Sequence, residues 1–320
     1  MGNNAGANNT TGSNNVLIGN EAGKTNKEGA YNVFLGYNAG KTTKKATNSI
    51  AIGYLAGDGY SGYEYSNNVF IGTQSGYYIK SGSDNVFIGN NAGHTNSTGA
   101  NNVFLGNNAA AANTEGSSNV VLGTNAAQTA GKMTRTIAIG EEAGKGTSTS
   151  ISTDDVFLGY RAGYNNTKGK SNVFIGNNAG YTNTEGNYNV FLGYQAGNKN
   201  TASNNTFIGY NAGVANTTGN NNVFLGTSAG NSNTIGNYNI FLGNGAGNNN
   251  TEGGHNIFMG YGAGGGNKTD VNNICIGNTA GQSFTENSGN IFIGNMAGQK
   301  TKGGSNVVLG THTLMGEGAA

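Results

Sequence analysis

Fifteen carboxylates, three histidines and one cysteine are the groups in this 320-residue chain that could carry acid–base, metal or nucleophilic chemistry. Glycoside cleavage needs two carboxyl groups on one face, one as acid and one as base or nucleophile. Only Asp154-Asp155 and Glu141-Glu142 stand as adjacent acidic pairs, and each reads as a cap or solvated pair of a turn. His94, His255 and His312 are far apart along the chain and lack partners at metal-ligand spacing. Ser and Thr are plentiful, but no Ser-His-Asp order stands out. Glycine runs such as Gly260-Tyr261-Gly262-Ala263-Gly264 open no helix, so a phosphate cradle is not expected. The Gly-Gly-x-Gly-x-Asp spacing of calcium-binding rolls is absent. No catalytic residue, metal or cofactor is expected, and the chain reads as something other than an enzyme.

Composition points the same way. There are 59 Gly, no Pro and no Trp, and only 10% of residues are charged, far below an ordinary globular domain. The net charge of +1 provides no basic surface for nucleic acid. No apolar run is long enough to span a membrane as a helix, and the N-terminus lacks the order of a signal peptide. A single cysteine, Cys275, excludes an intrachain disulfide framework. Absence of Pro suits a backbone whose N–H groups are nearly all needed for a ladder.

The elements that must position all this are internal repeats. A three-residue apolar run closed by Gly recurs from Val16-Leu17-Ile18-Gly19 through Val33-Phe34-Leu35-Gly36 to Val307-Val308-Leu309-Gly310. Eighteen closing glycines are separated by thirteen intervals of 17 residues, two of 19 and two of 16. After each run but the last, where Thr311-His312-Thr313-Leu314 follows, come two variable residues, a small pair such as Ala39-Gly40 or Ala179-Gly180, and a polar return. The runs are too short for helices and rich in Val, Ile and Phe, which predicts strands. One 17-residue unit cannot bury its apolar residues alone; stacked copies share a core. The pattern therefore predicts an all-β fold, a parallel β-solenoid of about 18 coils with a 17-residue repeat, continuous over residues 1–310, with 311–320 as a tail or cap. Asn before each strand (Asn15, Asn32, Asn68, Asn85) is expected to stack into an amide ladder.

Strand residues alternate sides. The first and third positions, such as Val33 with Leu35, Val86 with Ile88 and Ile240 with Leu242, are assigned to the core together with the Ala of the Ala-Gly pair. The middle position then faces outward. It holds Phe34, Phe70, Phe87, Phe104, Phe157, Phe174, Phe191, Phe207, Phe224, Phe241, Phe258 and Phe292, and this stripe is expected to be an oligomer interface, because soluble monomers do not expose so much contiguous apolar surface. The two coils with Ala in the middle, Ala51 and Ala138, open the two 19-residue intervals, whose returns carry Tyr60, Tyr63 and Tyr65 or Ile151 and are expected to pack differently. Tyr37, Tyr54, Tyr160, Tyr194, Tyr210 and Tyr261 follow the closing glycine and are surface-binding candidates, since exposed rings beside Asn stack on sugars or grip protein; turn residues without a ligand are the plainer reading. An interrupted Thr column (Thr217, Thr234, Thr251 among others) makes ice binding a minor alternative.

Ser49-Ile50-Ala51-Ile52-Gly53 and Thr136-Ile137-Ala138-Ile139-Gly140 resemble the Ser-Val-Ala-Ile-Gly head repeats of trimeric autotransporter adhesins, the YadA-like head. The resemblance implies a left-handed parallel β-roll, a homotrimer, and the head of a cell-surface adhesin that binds host or matrix surfaces. Similar repeats occur in phage tail fibres and bacterial surface fibres, so a structural virion-fibre shaft or a self-stacking extracellular filament is the alternative. The departures are a longer repeat, Phe rather than Ala in the middle, and no match to the family's neck, stalk or anchor. The chain begins within a repeat, which suggests a piece of a longer fibre or a subunit that stacks head to tail. The expected partner is the chain itself, with a host or matrix ligand besides; the expected location is extracellular, on a cell surface or virion.

Overall fold

The computed structural model describes residues 2–284 and 288–313. They form a parallel β-solenoid with no helix among the described residues. Two compact units are distinguished: Met1–Arg161 with Asn165–Lys168, and Ala162–Tyr164 with Gly169–Ala320. Each contributes nine of the three-residue apolar strands, from Val16–Ile18 to Val156–Leu158 in the first and from Val173–Ile175 to Val307–Leu309 in the second.

Within each unit the strands pair in parallel with like positions in register: Val69 opposite Val86, Phe70 opposite Phe87 and Ile71 opposite Ile88, or Val223 opposite Ile240, Phe224 opposite Phe241 and Leu225 opposite Leu242. Repetition of the sequence enforces this, because a one-residue slip would exchange the two faces of a strand. The first unit also has two small side sheets on the return segments: Lys45–Thr47 with Glu64–Ser66, and Lys132–Thr134 with Ile151–Thr153.

The faces of the main strands are the reverse of the sequence expectation. Phe34, Phe70, Phe87, Phe104, Phe157, Phe174, Phe191, Phe207, Phe224, Phe241, Phe258 and Phe292 are all buried inside the coils, at 0–1% exposure. They are not a surface stripe, and the reading of these residues as an oligomer interface is corrected. The strand residues alternate sides as expected, but in the opposite sense. With three residues per strand and one pointing inward, a single large side chain must fill the interior, and the partner across the coil must be small. The Ala-Gly pair supplies that partner: its Ala is buried, as in Ala229, and its Gly lies against the ring. A Cβ on Gly230 would sit 2.6 Å from the Phe224 ring. In the second unit the rings of Phe174, Phe191, Phe207, Phe224, Phe241 and Phe258 stack face to face, 4.7–4.9 Å between centroids and 5–8° from parallel. That separation equals the spacing of paired strands, so the backbone ladder and the ring stack share one repeat.

Coils without Phe show how the volume is restored. Cys275 occupies the middle position, and Phe284 from the return of the same coil enters the core, edge-on to Phe258 and Phe292 at 6.5 and 5.6 Å. Beside Ala51, the 19-residue return sends in Tyr65, whose hydroxyl donates to the Gly57 carbonyl at 3.0 Å and whose ring meets Phe70 edge-on at 5.8 Å. The coil of Val121 buries Met133. For Ala51, the expected link between the missing Phe and a long return therefore has a packing explanation; for Ala138 it does not rest on Ile151, which is 50% exposed while Ser152 of the same return is buried.

The amide ladder is present. Asn102 donates both its backbone N–H and its Nδ2 to Oδ1 of Asn85, at 3.0 and 3.1 Å, and the same Nδ2 also donates to the Gly116 carbonyl at 2.9 Å. The arrangement recurs at Asn85 on Asn68 and at Asn119 on Asn102. These side chains are fully buried, so each bond is made where an unpaired amide would be costly. A second buried ladder runs through the Asn of the Asn-x-x-Gly returns: Asn216, Asn233, Asn250 and Asn267 each donate to the Oδ1 one coil earlier, at 2.6–2.7 Å. Where Phe284 replaces the next amide, Asn267 Oδ1 is left without a partner.

Candidate functional site

Of the two acidic pairs, Asp154, Asp155 and Glu142 are held by neighbouring side chains, and Glu141 is exposed. Asp154 is exposed and takes a two-pronged bond from Arg135, Nε to Oδ1 at 2.6 Å and Nη2 to Oδ2 at 2.9 Å, which holds its carboxyl below the usual range. Asp155 stands in the position of the ladder asparagines, is fully buried, and accepts from the Ser152 hydroxyl at 2.7 Å and Asn166 Nδ2 at 3.3 Å. Glu142 is clamped by Lys145 at 2.8 Å and Arg161 at 2.6 Å, and these cations lower its pKa. Glu21 is bridged by Lys24 and Lys41 at 2.6 and 2.7 Å, which hold its carboxyl down to about 2. Asp58 is the opposite case: burial pushes its pKa up to about 6, against the bond it accepts from the Thr42 N–H at 3.0 Å.

The histidines are separate. His94 is partly buried and stacks on Tyr77 at 5.4 Å, with its pKa lowered by desolvation. His255 stacks on Tyr238 at 4.9 Å. His312 sits in a corner with φ of 57°. Among the described residues there is no group of three His, Cys, Asp or Glu that could hold a metal ion. Cys275 is buried, and burial raises its thiol pKa.

The tyrosine candidates Tyr37, Tyr54, Tyr160, Tyr194, Tyr210 and Tyr261 are all exposed. Two pairs stack ring on ring from coil to coil, Tyr37 on Tyr54 at 5.5 Å and Tyr194 on Tyr210 at 5.2 Å. The Tyr160 ring is covered by the Arg161 guanidinium at 4.8 Å. Tyr261 stands alone with the highest exposure of the six, 62%. The threonine column is turned to the backbone: Thr217, Thr234 and Thr251 donate their hydroxyls to the carbonyl of the next coil at 2.9–3.0 Å.

What the sequence reading missed is the outer face of the main sheet. With Phe inside, the first and third strand positions point out, so Val33, Leu35, Val86, Ile88, Ile240 and Leu242 are surface residues rather than the core assigned to them. The more exposed of these positions, including Val16, Ile50, Leu192, Leu225 and Leu309, lie between 36% and 66% exposure. Two columns of side chains, aliphatic at every strand except for Thr206 and Met259, thus line the outside of each nine-strand stack. The available signal was size: a pair of tiny residues across the coil, Ala-Gly in most coils and Ser75-Gly76, Ala109-Ala110 or Ala126-Ala127 in three, has room only for the one large residue of the strand. Neither a protein-family model nor a curated protein matches the chain.

Proposed function

We propose that the chain is a structural and adhesive fibre module whose copies associate through the aliphatic outer face of the sheet. The observation that carries this reading is the pair of Val/Ile and Leu/Ile columns along each unit. Eighteen partly exposed outer positions per unit, all aliphatic in the first and all but Thr206 and Met259 in the second, leave roughly 1,000 Å² of mostly apolar surface, above what a soluble monomer commonly leaves open and near the area one partner contributes to a standard interface. The occupant best suited to a face repeating at every coil is a second copy with the same repeat. The YadA-like resemblance adds three as the number of copies and a cell or virion surface as the location. Adhesion to a host or matrix ligand is the corresponding biological role.

Light scattering on the purified chain at several concentrations tests this. A plateau at three chains, falling to one in a Leu192→Lys, Leu225→Lys double variant, supports the reading. A wild-type chain that stays monomeric at all concentrations overturns it. A mass that keeps climbing without a plateau, unchanged in the double variant, replaces lateral association with end-to-end stacking.

A further inference from the structure

The corner two residues after each closing glycine carries a side chain in every described coil except two. Asn38, Asn91, Asn108, Asn125, Asn178 and Asn211 adopt φ of 53–56° there, and the two exceptions are Gly245, at φ 66°, and Gly262, at φ 59°. These two are in consecutive coils of the second unit. The column three residues further on is interrupted in the same place, where Gly265 stands between Asn248 and Gln282. The missing side chains leave a cleft of about 540 Å³, within the usual range for small-molecule sites. A Cβ on Gly245 would meet nothing within 4 Å, and one on Gly262 only Thr279 Cγ2 at 3.6 Å and Gln282 Nε2 at 3.9 Å. Packing therefore does not require glycine at either corner.

The chemistry of the walls is specific. No charged side chain lines the cleft, whose polar groups are amides, hydroxyls and exposed glycine backbone. Gln299 Nε2 donates to Gln282 Oε1 at 2.9 Å, which fixes that amide with its Nε2 toward Gly262. The side chains of Asn244 and Asn248 make no hydrogen bond among the described residues, so their donors and acceptors remain for a ligand. Tyr261 supplies one open ring, unlike Tyr37, Tyr54, Tyr194 and Tyr210, which stack on each other. Uncharged amides on one side and a bare aromatic ring on the other match a molecule with a ring of hydroxyls and an apolar C–H face. Anions would meet no cation here, and metal ions no carboxylate.

We infer that this cleft binds a neutral saccharide of one or two rings, with a pyranose face on Tyr261 and its hydroxyls on Asn244, Asn248 and Gln282. This supplies a ligand class for the adhesive reading, and it rests on that reading only for its biological setting. Lateral association and sugar binding are read by separate experiments, so either can fail without the other.

The test is calorimetric titration of the full chain with the methyl glycosides of glucose, galactose, mannose, N-acetylglucosamine and N-acetylgalactosamine and their β-linked disaccharides. Binding by at least one member of the panel is expected. Gly262→Asn places at this corner the residue that other coils hold there at the same φ, so the coil is kept and the cleft is filled; affinity falls by about tenfold or more. Tyr261→Ala gives a similar loss by removing the stacking surface, whereas Tyr194→Ala leaves affinity unchanged. Circular dichroism melting of each variant confirms an intact solenoid, and Gly245→Asn repeats the filling experiment from the neighbouring coil. Absence of binding by the whole panel up to about 10 mM overturns the inference. So does binding that survives both Tyr261→Ala and the filled cleft, because the sugar would then sit elsewhere.

Discussion

Replacing Phe224 by Ala removes a ring that is wholly buried and stacked on both sides, 4.7 Å from Phe207 and 4.8 Å from Phe241. A buried Phe→Ala change costs about 3–5 kcal/mol when the surroundings cannot collapse, and pairwise stacking accounts for about 0.5–1.5 kcal/mol per contact within that total. Collapse is hindered here because the strands on either side are pinned in register by parallel pairing. The outward neighbour Leu225, 46% exposed, gives the contrast: roughly half of its burial gain is absent in the single chain, so Leu225→Ala costs about 1 kcal/mol. A third variant copies a natural solution. Phe224→Cys with Asn233→Phe reproduces the Cys275 and Phe284 arrangement one unit of packing at a time, and it recovers part of the loss. Recovery is incomplete because Asn233 lies in the second amide ladder, where it donates to Asn216 Oδ1 at 2.7 Å, and an orphaned buried acceptor costs about 1–3 kcal/mol. Urea unfolding followed by circular dichroism, at a concentration where the chain is monomeric, measures all three, with amide exchange in the flanking coils reporting local opening. A loss below about 1 kcal/mol for Phe224→Ala, or a larger loss for Leu225→Ala than for Phe224→Ala, would refute the assignment of inside and outside.

Asn222→Ala removes the acceptor of the Asn239 N–H at 2.9 Å and the donor to the Gly236 carbonyl at 2.8 Å; urea unfolding should show a loss of about 1–3 kcal/mol for each group left unpaired. Gly226→Ala places a Cβ 2.5 Å from the Gly243 carbonyl oxygen at a φ of 137°, so destabilisation by about 3 kcal/mol or more is expected, against near neutrality for Gly245→Asn in the same melting assay. Burial pushes the Asp58 carboxyl up to about 6, above the value of about 3.9 for an ordinary aspartate. Between those two values the folded chain binds more protons than the unfolded one, so this group's contribution to stability falls as pH rises from about 4 to about 6 and is level above. Asp58→Asn keeps an acceptor for Thr42 and removes that slope; the stability difference between variant and wild type should grow by about 1–3 kcal/mol over that range, and a difference independent of pH would show that Asp58 is not desolvated. Glu21 titrates below this window, since its pKa is lowered to about 2, and its contribution is lost only as pH falls through the acid range.

Much of the architecture could be read from the residues alone. A glycine-closed apolar triplet recurring every 17 residues leaves few structures open, because a unit that short has no core of its own and must stack on its copies. Strand identity, parallel pairing and like-on-like register follow from the repeat, as does the first amide ladder, since identical side chains one coil apart must meet. The Asn of the Asn-x-x-Gly returns carried the same information and went unread.

The direction in which the strand faces was decided only in three dimensions. Val-Phe-Leu alternates in either sense, and all three residues are apolar, so the triplet holds no polar residue to mark the outside. What settles it is the distance across the coil: Ala229 and Gly230 approach so closely that Phe224 alone fills the gap, and two aliphatic columns are left outside. The same limit explains Phe284 and Tyr65, whose placement in the core depends on the space Cys275 and Ala51 leave empty. Periodicity fixes which residues stack on which, because it is a property of order along the chain. Which side of the stack is filled depends on volumes brought together from separate parts of a coil, and only the folded structure adds those up.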